Sequence, residues 1–251
     1  MRKKSPMAIV AIMLMTAACF AVGCTKPDEP NNGGNNNGGN SNSGNVGNSL
    51  NGHEYVILGL PSGTRWATCN VGATSPEGYG NYFAWGEVIP KTTYNWSTYK
   101  YCNGNYNQLT KYCDESNLGY NGFTDNLTTL QSGDDAATTN WGNGWYMPTW
   151  KDWEELYQHT TNTWTTRNGV SGRLFTASNG NSLFLPAAGC TYRREGELYD
   201  VGRFGYYWSS GLNYHPEAAY DCNVCSGYCL LGSKPRYYGL SVRPVCSAVM
   251  N

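Results

Sequence analysis

The stretch Trp145-Tyr146-Met147-Pro148-Thr149-Trp150-Lys151-Asp152-Trp153-Glu154-Glu155-Leu156-Tyr157-Gln158 places the clearest helix in the chain. Thr149 offers an N-cap hydroxyl, and Asp152 falls at the third helical position, where its carboxylate can reach back to the cap. Trp153, Leu156 and Tyr157 recur at helical spacing while Lys151, Glu154 and Glu155 face water, so the spacing predicts a helix ending near Gln158. Working outward, residues 163–167, 172–176 and 182–186 read as strands, the last two joined as a hairpin across Asn179-Gly180-Asn181. Further strands are expected at 205–209, 218–223 and 238–245, with Pro244 at an edge or a bulge. On the N-terminal side, 54–60 and 64–71 form a predicted hairpin around Pro61-Ser62-Gly63. Asp134 and Asp135 precede a short helix over 136–140, whose first amides their carboxylates can cap; a calcium ion is the alternative occupant there. Many short strands around few helices define an α+β class.

Between 72 and 133 the chain is dense in Gly, Asn, Tyr and Ser with little periodicity, which predicts long loops stapled by aromatic side chains. The chain has 20 Tyr, 14% aromatic and only 14% charged residues, a balance that suits a surface favouring polar ligands such as sugars. The competing reading is that most of the nine Trp fill a core poor in long aliphatics. A net charge of −1 with both signs dispersed provides no electrostatic footprint for nucleic acid or for an anionic membrane surface.

The N-terminus carries an export pattern. Residues 1–4 are basic, 6–20 apolar but too short to span a bilayer, and Ala21-Val22-Gly23 are small residues before Cys24. This reads as a lipoprotein signal over 1–23 with Cys24 as the lipidated residue; plain secretion and a cut before Cys19 are the alternatives. Membrane attachment is then through lipid alone. Residues 31–49 are almost wholly Asn, Gly and Ser, so 24–50 is expected to be a flexible tether whose Asn/Gly part reaches about 25 Å. The remainder, 51–249, has the length of one domain and no internal repeat. Of its eight cysteines, Cys102 and Cys113 could close a local loop, and Cys222, Cys225 and Cys229 have spacing open to a metal, a disulfide or free thiols.

Several blocks occur in a familiar order: His53-Glu54-Tyr55-Val56, Leu58-Gly59-Leu60-Pro61-Ser62-Gly63-Thr64, Trp66-Ala67-Thr68-Cys69-Asn70-Val71-Gly72-Ala73 and Tyr82-Phe83-Ala84-Trp85-Gly86-Glu87. Asp134-Asp135-Ala136-Ala137, Asn140-Trp141-Gly142, Trp145-Tyr146-Met147-Pro148-Thr149, Phe184-Leu185-Pro186-Ala187-Ala188-Gly189, Tyr206-Tyr207-Trp208-Ser209-Ser210 and Ser241-Val242-Arg243-Pro244-Val245 follow. Together they resemble the Fibrobacter succinogenes major paralogous domain family across residues 52–246. The resemblance implies a C-type lectin-like fold related to sulfatase-modifying enzymes, with a twisted mixed sheet, two short helices and long ligand-presenting loops. Tyr146 stands where members of that family commonly carry Arg. Lys26, Asp28 and Glu29 resemble the lysine-plus-acidic export signal of surface-displayed lipoproteins in Bacteroidetes, interrupted by Pro27. The implied location is the outer membrane, with the domain outside the cytoplasm.

Catalytic constellations are sparse in the sequence. The three His are scattered at 53, 159 and 215, no His-Glu-x-x-His pair or phosphate-cradling glycine loop occurs, and Glu154 and Glu155 read as a solvated helix face. Formylglycine-generating enzymes share the implied fold and use C-terminal cysteines, so Cys222, Cys225, Cys229 and Cys246 keep an enzymatic alternative open. Neither the Glu-Pro-Asn nor the Gln-Pro-Asp tripeptide of calcium-dependent lectin loops occurs within 51–249; Glu29-Pro30-Asn31 falls in the expected tether, outside that domain. The expectation is therefore a non-catalytic module without a cofactor or metal, binding a glycan or a protein at the cell surface, with a structural or adhesive role as the alternative. Trp85, Glu87, Trp96 and Tyr99 are the candidate ligand-binding residues, because aromatic faces stack on pyranose rings and a carboxylate accepts hydroxyl hydrogen bonds. Trp66 and Trp208 are expected in the core. Arg243 is expected to be structural, with a buried acidic or carbonyl partner.

Overall fold

The structure is a computed structural model and describes residues 48–192 and 195–248. The expected signal segment, Cys24 and the tether up to residue 47 lie outside the described residues. Backbone pairing starts inside the stretch assigned from composition to the tether. β1 (Ser49–Leu50) pairs with β2 (His53–Val56) around Asn51 and Gly52, and β2 pairs antiparallel with β3 (Arg65–Ala67). A boundary at Asn51 therefore cuts through a hairpin, whose first strand is held further by Trp145 Nε1 donating to the Leu50 carbonyl at 3.0 Å.

Two α-helices occur among the described residues, α1 (Ala136–Trp141) and α2 (Trp150–Gln158), with β4 (Trp145–Tyr146) between them. The Thr149 side chain accepts from Asp152 N at 3.2 Å and the Asp152 carboxylate accepts from Thr149 N at 2.8 Å, a reciprocal cap of the kind read from the sequence. Trp153 and Leu156 are buried, which stabilises by about 1.5–3 kcal/mol for each large apolar side chain. Tyr157 instead faces solvent at 44% exposure. Glu155 is half-buried, accepting from both the N–H and the hydroxyl of Ser62, so it clamps the 61–63 turn and is not a solvated face residue.

Beyond α2 the chain is almost wholly strand. β5 (Thr160–Arg167), β6 (Val170–Ala177) and β7 (Ser182–Pro186) form one antiparallel sheet; β8 (Cys190–Thr191) and β9 (Leu198–Tyr199) form a small arm. β10 (Phe204–Leu212), β11 (Ala218–Cys225) and β12 (Cys229–Pro235) form a second three-stranded antiparallel sheet. β13 (Val245–Cys246) inserts between β3 and β4, giving the order β1-β2-β3-β13-β4. The architecture is mainly β with few helices. Pairings between these strands are antiparallel, with parallel register confined to isolated bridges such as Tyr207 with Ser241, in place of the expected mixed sheet.

The segment 238–245 is not one strand. Leu240 bridges Phe83, Ser241 bridges Tyr207, and only Val245 and Cys246 enter a ladder. Pro244 thus stands just before a central strand, where its missing N–H costs nothing and its carbonyl accepts from Ala67 N at 2.9 Å. β12 had no sequence signal, since Cys229-Leu230-Leu231-Gly232-Ser233 lacks β-branched residues; seven paired positions with β11 create it.

Two apolar clusters form the core. One gathers Phe83, Trp85, Tyr112, Trp145, Trp208 and Val242; the other gathers Trp66, Trp153, Leu156, Phe175, Tyr207 and Val245. Trp66 and Trp208 are fully buried, and Trp208 Nε1 donates to the Phe83 carbonyl at 2.7 Å. Arg243 is also fully buried. It donates to Asn70 Oδ1 at 2.8 Å and to the Ala67 and Thr68 carbonyls at 3.1 and 2.6 Å, so amide and carbonyl oxygens hold it and no acid does.

Candidate functional site

The four residues read from the sequence as ligand-binding do converge in space, but most of them face inward. Trp85 is fully buried, its Nε1 donating to the Ser209 carbonyl at 2.9 Å, and its ring meets Tyr112 edge-on at 5.1 Å. Tyr99 is 3% exposed and donates its hydroxyl to the Trp85 carbonyl at 2.8 Å. Neither ring offers a face to a ligand. Glu87 is buried too, its Oε1 accepting from Lys91 Nζ and from the backbone N–H of Lys100, both at 2.8 Å; that one oxygen fastens the 87–100 loop.

What closes this region is Arg236, which local patterning does not single out. Its guanidinium is fully buried, with its carbon 5.1 Å from the Trp85 ring centre and 5.2 Å from that of Tyr99. It donates to the Tyr99 hydroxyl and to the carbonyls of Tyr112, Pro216 and Lys111, at 2.8 to 3.0 Å. A cation in a ring cage satisfied by carbonyls is a keystone that joins three loops. Asp134 is closed in the same way, accepting from Lys111 Nζ at 2.6 Å, from Tyr112 Oη at 2.7 Å and from Tyr101 Oη. Hydrogen bonding to these donors holds its carboxyl below the usual range despite burial. Asp135 caps α1 through Ala137 N and Thr138 N and also accepts from Met147 N, while burial lifts its carboxyl above the usual range. Both carboxylates face N–H, O–H and ammonium donors, an arrangement opposed to holding calcium.

Trp96 differs from the other three candidates. It opens a short 3-10 turn over Trp96–Thr98, capped by the Asn95 side chain accepting from Thr98 N at 3.1 Å, and it is half-buried. From it a row of half-buried rings continues: Tyr237 at 5.0 Å, Tyr238 a further 4.9 Å on, then Tyr192 at 4.4 Å and Tyr199 at 4.5 Å. Tyr192 and Tyr238 are stacked at 10°, and Tyr237 and Tyr238 are tilted at 55°, so the rings of the row do not form one broad plane. The Tyr199 hydroxyl donates to Glu197 at 2.8 Å.

A cleft of about 220 Å³ touches the β8–β9 arm that carries two of these rings, although none of the five rings lines it. Its walls include Lys91, Thr92, Tyr94 and Asn81 on one side and Thr191 and Leu198 on the other. Thr191 and Leu198 face each other across β8 and β9, the arm that also carries Tyr192 and Tyr199. Gly189 anchors this arm: at φ +67° it lies so close to β9 that an added Cβ would sit 2.1 Å from the Tyr199 carbonyl oxygen. A larger cleft of about 440 Å³ lies beside His53, Glu54, Thr68 and Cys69, but the indole beneath it, Trp141, is already covered by the His53 ring stacked at 3.9 Å.

Sequence reasoning found Trp96 and missed Tyr192, Tyr199, Tyr237 and Tyr238. The only signal they carried was membership in a Tyr-rich composition. The eight cysteines from Cys69 to Cys246 are free thiols. Cys102 donates to the Trp96 carbonyl and Cys113 to the Glu115 carbonyl, so the local loop they could have closed is not formed. No group of three His, Cys, Asp or Glu side chains placed to hold a metal occurs among the described residues, and no helix there is long and apolar enough to cross a membrane. The sequence matches no protein-family model. Comparison with curated proteins and with solved structures likewise returns no match.

Proposed function

We propose that this protein is an exported, lipid-anchored binding module that recognises a glycan without transforming it, and that the row from Trp96 to Tyr199 is its contact surface. The observation that carries the reading is that continuous set of five half-buried aromatic side chains, two of them on the arm that walls a cleft also lined by Lys91, Thr92 and Thr191. The aromatic rings and C–H-rich sugar surfaces exclude water together, while Lys91, Thr92 and Thr191 at the cleft wall supply hydrogen bonds to hydroxyls. The ordered blocks resembling the Fibrobacter succinogenes major paralogous domain, and the lectin-like fold that resemblance implies, support a recognition role. Cys24 and the residues before it support a lipid anchor in the outer membrane, and Lys26, Asp28 and Glu29 support display at the cell surface.

Full-length protein screened on a glycan array tests this reading, with Trp96→Ala and Tyr238→Ala as controls. Losing either ring should weaken binding by about tenfold, the equivalent of one aromatic contact. Binding that both variants retain at full strength moves the site elsewhere. A failure to bind any glycan, with a protein from the cell surface captured instead through the same row, replaces the ligand class.

A further inference from the structure

β11 and β12 are joined by a tight turn in which Cys225 N donates to the Tyr228 carbonyl at 2.9 Å. Their register sets Cys222 opposite Leu231 and Val224 opposite Cys229. Because side chains alternate with a period of two, Cys222, Val224, Cys229 and Leu231 share one face of the hairpin, and all four pack in or against the same apolar cluster. On that face the sulfurs of Cys222 and Cys229 approach to 3.8 Å across the diagonal. No other pair of cysteine sulfurs lies within hydrogen-bonding reach among the described residues.

We propose that Cys222 and Cys229 are the site of a cross-strand disulfide, formed by exchange with an external disulfide, either a small-molecule one or that of a thiol oxidoreductase. Accessibility orders the steps. Cys222 is 1% exposed whereas Cys229 is half-buried, so an external reagent meets Cys229 first. The hydrogen bond shared with Cys222 and the guanidinium of Arg173 hold the Cys229 thiol below its ordinary range, while that hydrogen bond and burial push Cys222 above it. Cys229 gives up its proton, and its thiolate attacks one sulfur of the external disulfide, expelling the first external thiolate and leaving a mixed disulfide. The Cys222 sulfur, losing its proton, then attacks Cys229 and expels the second external thiol. Two protein thiols are oxidised by two electrons, and one external disulfide is reduced to two thiols.

A bond here staples the β11–β12 hairpin, at whose tip Tyr228 and Leu230 are exposed. It should raise the thermal midpoint by about 5 °C, the scale expected for a short closed loop in a domain of this size.

The test uses the full chain incubated with oxidised glutathione, alkylated and mapped by mass spectrometry. Trypsin alone leaves all three cysteines of 222–229 in one peptide, since no Lys or Arg occurs between Arg203 and Lys234; chymotryptic cleavage after Tyr228 separates the two partners. The expected product is a peptide pair lighter by two hydrogens, with fragmentation assigning the link to Cys222 and Cys229. Alkylation of both residues, or a bond from Cys229 to Cys225, overturns the proposal. Cys222→Ala supplies an independent measurement: glutathione should remain trapped on Cys229 in this variant and be absent in the parent protein. Equal trapping in the two proteins overturns the proposal as well.

Discussion

Replacing Asp221 by Asn should change how the stability of this protein depends on pH. Asp221 sits in the middle of β11, opposite Trp208 on β10 and Gly232 on β12, and is fully buried. Neither carboxylate oxygen meets a donor at hydrogen-bond geometry among the described residues. Burial pushes its carboxyl up to about 7, against the smaller opposing pull of Lys234 and the Asn223 amide. The folded protein therefore keeps this proton until about pH 7, whereas the unfolded chain releases it near pH 4. The sign follows: the stability associated with the protonated carboxyl is fully present below about pH 4 and drains away as pH rises to about 7, then stays lost. At about 1.4 kcal/mol for each tenfold change in proton affinity, the loss is roughly 4 kcal/mol. In a domain of this size that is about 10 °C in thermal midpoint.

Asp221→Asn keeps the shape and removes the titration. Calorimetric midpoints of the two proteins, measured side by side from acid to mildly alkaline pH, should diverge across this window in favour of the variant. Asp135, whose carboxyl is also raised by burial, is present in both proteins and cancels from the difference. A difference between the two midpoints that stays constant from pH 4 to pH 8 would mean that Asp221 ionises normally in the folded state, and the reasoning from burial would be wrong.

Arg236→Lys retains the charge but cannot reach four acceptors at once; with the Tyr99 hydroxyl and three carbonyls left short of donors, the fold should lose at least about 3 kcal/mol in denaturant titration. A loss below about 1 kcal/mol would show that the ring cage alone holds those loops. Gly189→Ala forces a methyl against the Tyr199 carbonyl at a left-handed backbone position, and should cost about 2 kcal/mol or more while displacing the β8–β9 arm. An increased near-ultraviolet signal change for the Tyr192–Tyr238 stack without a stability loss would contradict this account of the glycine.

Elements stabilised within a few residues of themselves were legible in the chain. Thr149 and Asp152 cap α2 through bonds spanning three positions, and Trp153 and Leu156 mark its buried side. Asp135 before Ala136 is a cap of the same local kind. The hairpin across Asn179-Gly180-Asn181 needed only a turn and two flanking strands. Such features depend on backbone geometry and near neighbours, which a linear pattern records.

Exposure is a property of the whole fold, and there the linear pattern fell short. Trp85, Trp96 and Tyr99 look alike as aromatics in a loop-rich stretch, yet Arg236 closes over two of them from 137 positions beyond Tyr99, while Trp96 alone reaches the surface. The row of rings draws on three separated segments, near 96, 192–199 and 237–238, so no window of sequence contains it. β12 is a strand because β11 lies beside it, and Cys222 meets Cys229 only because that register places both on one face. Composition and local chemistry determined that this would be an aromatic, loop-rich, strand-dominated domain; long-range packing decided which of those rings remain available to a partner, because burial is set by what the rest of the chain brings against each side chain.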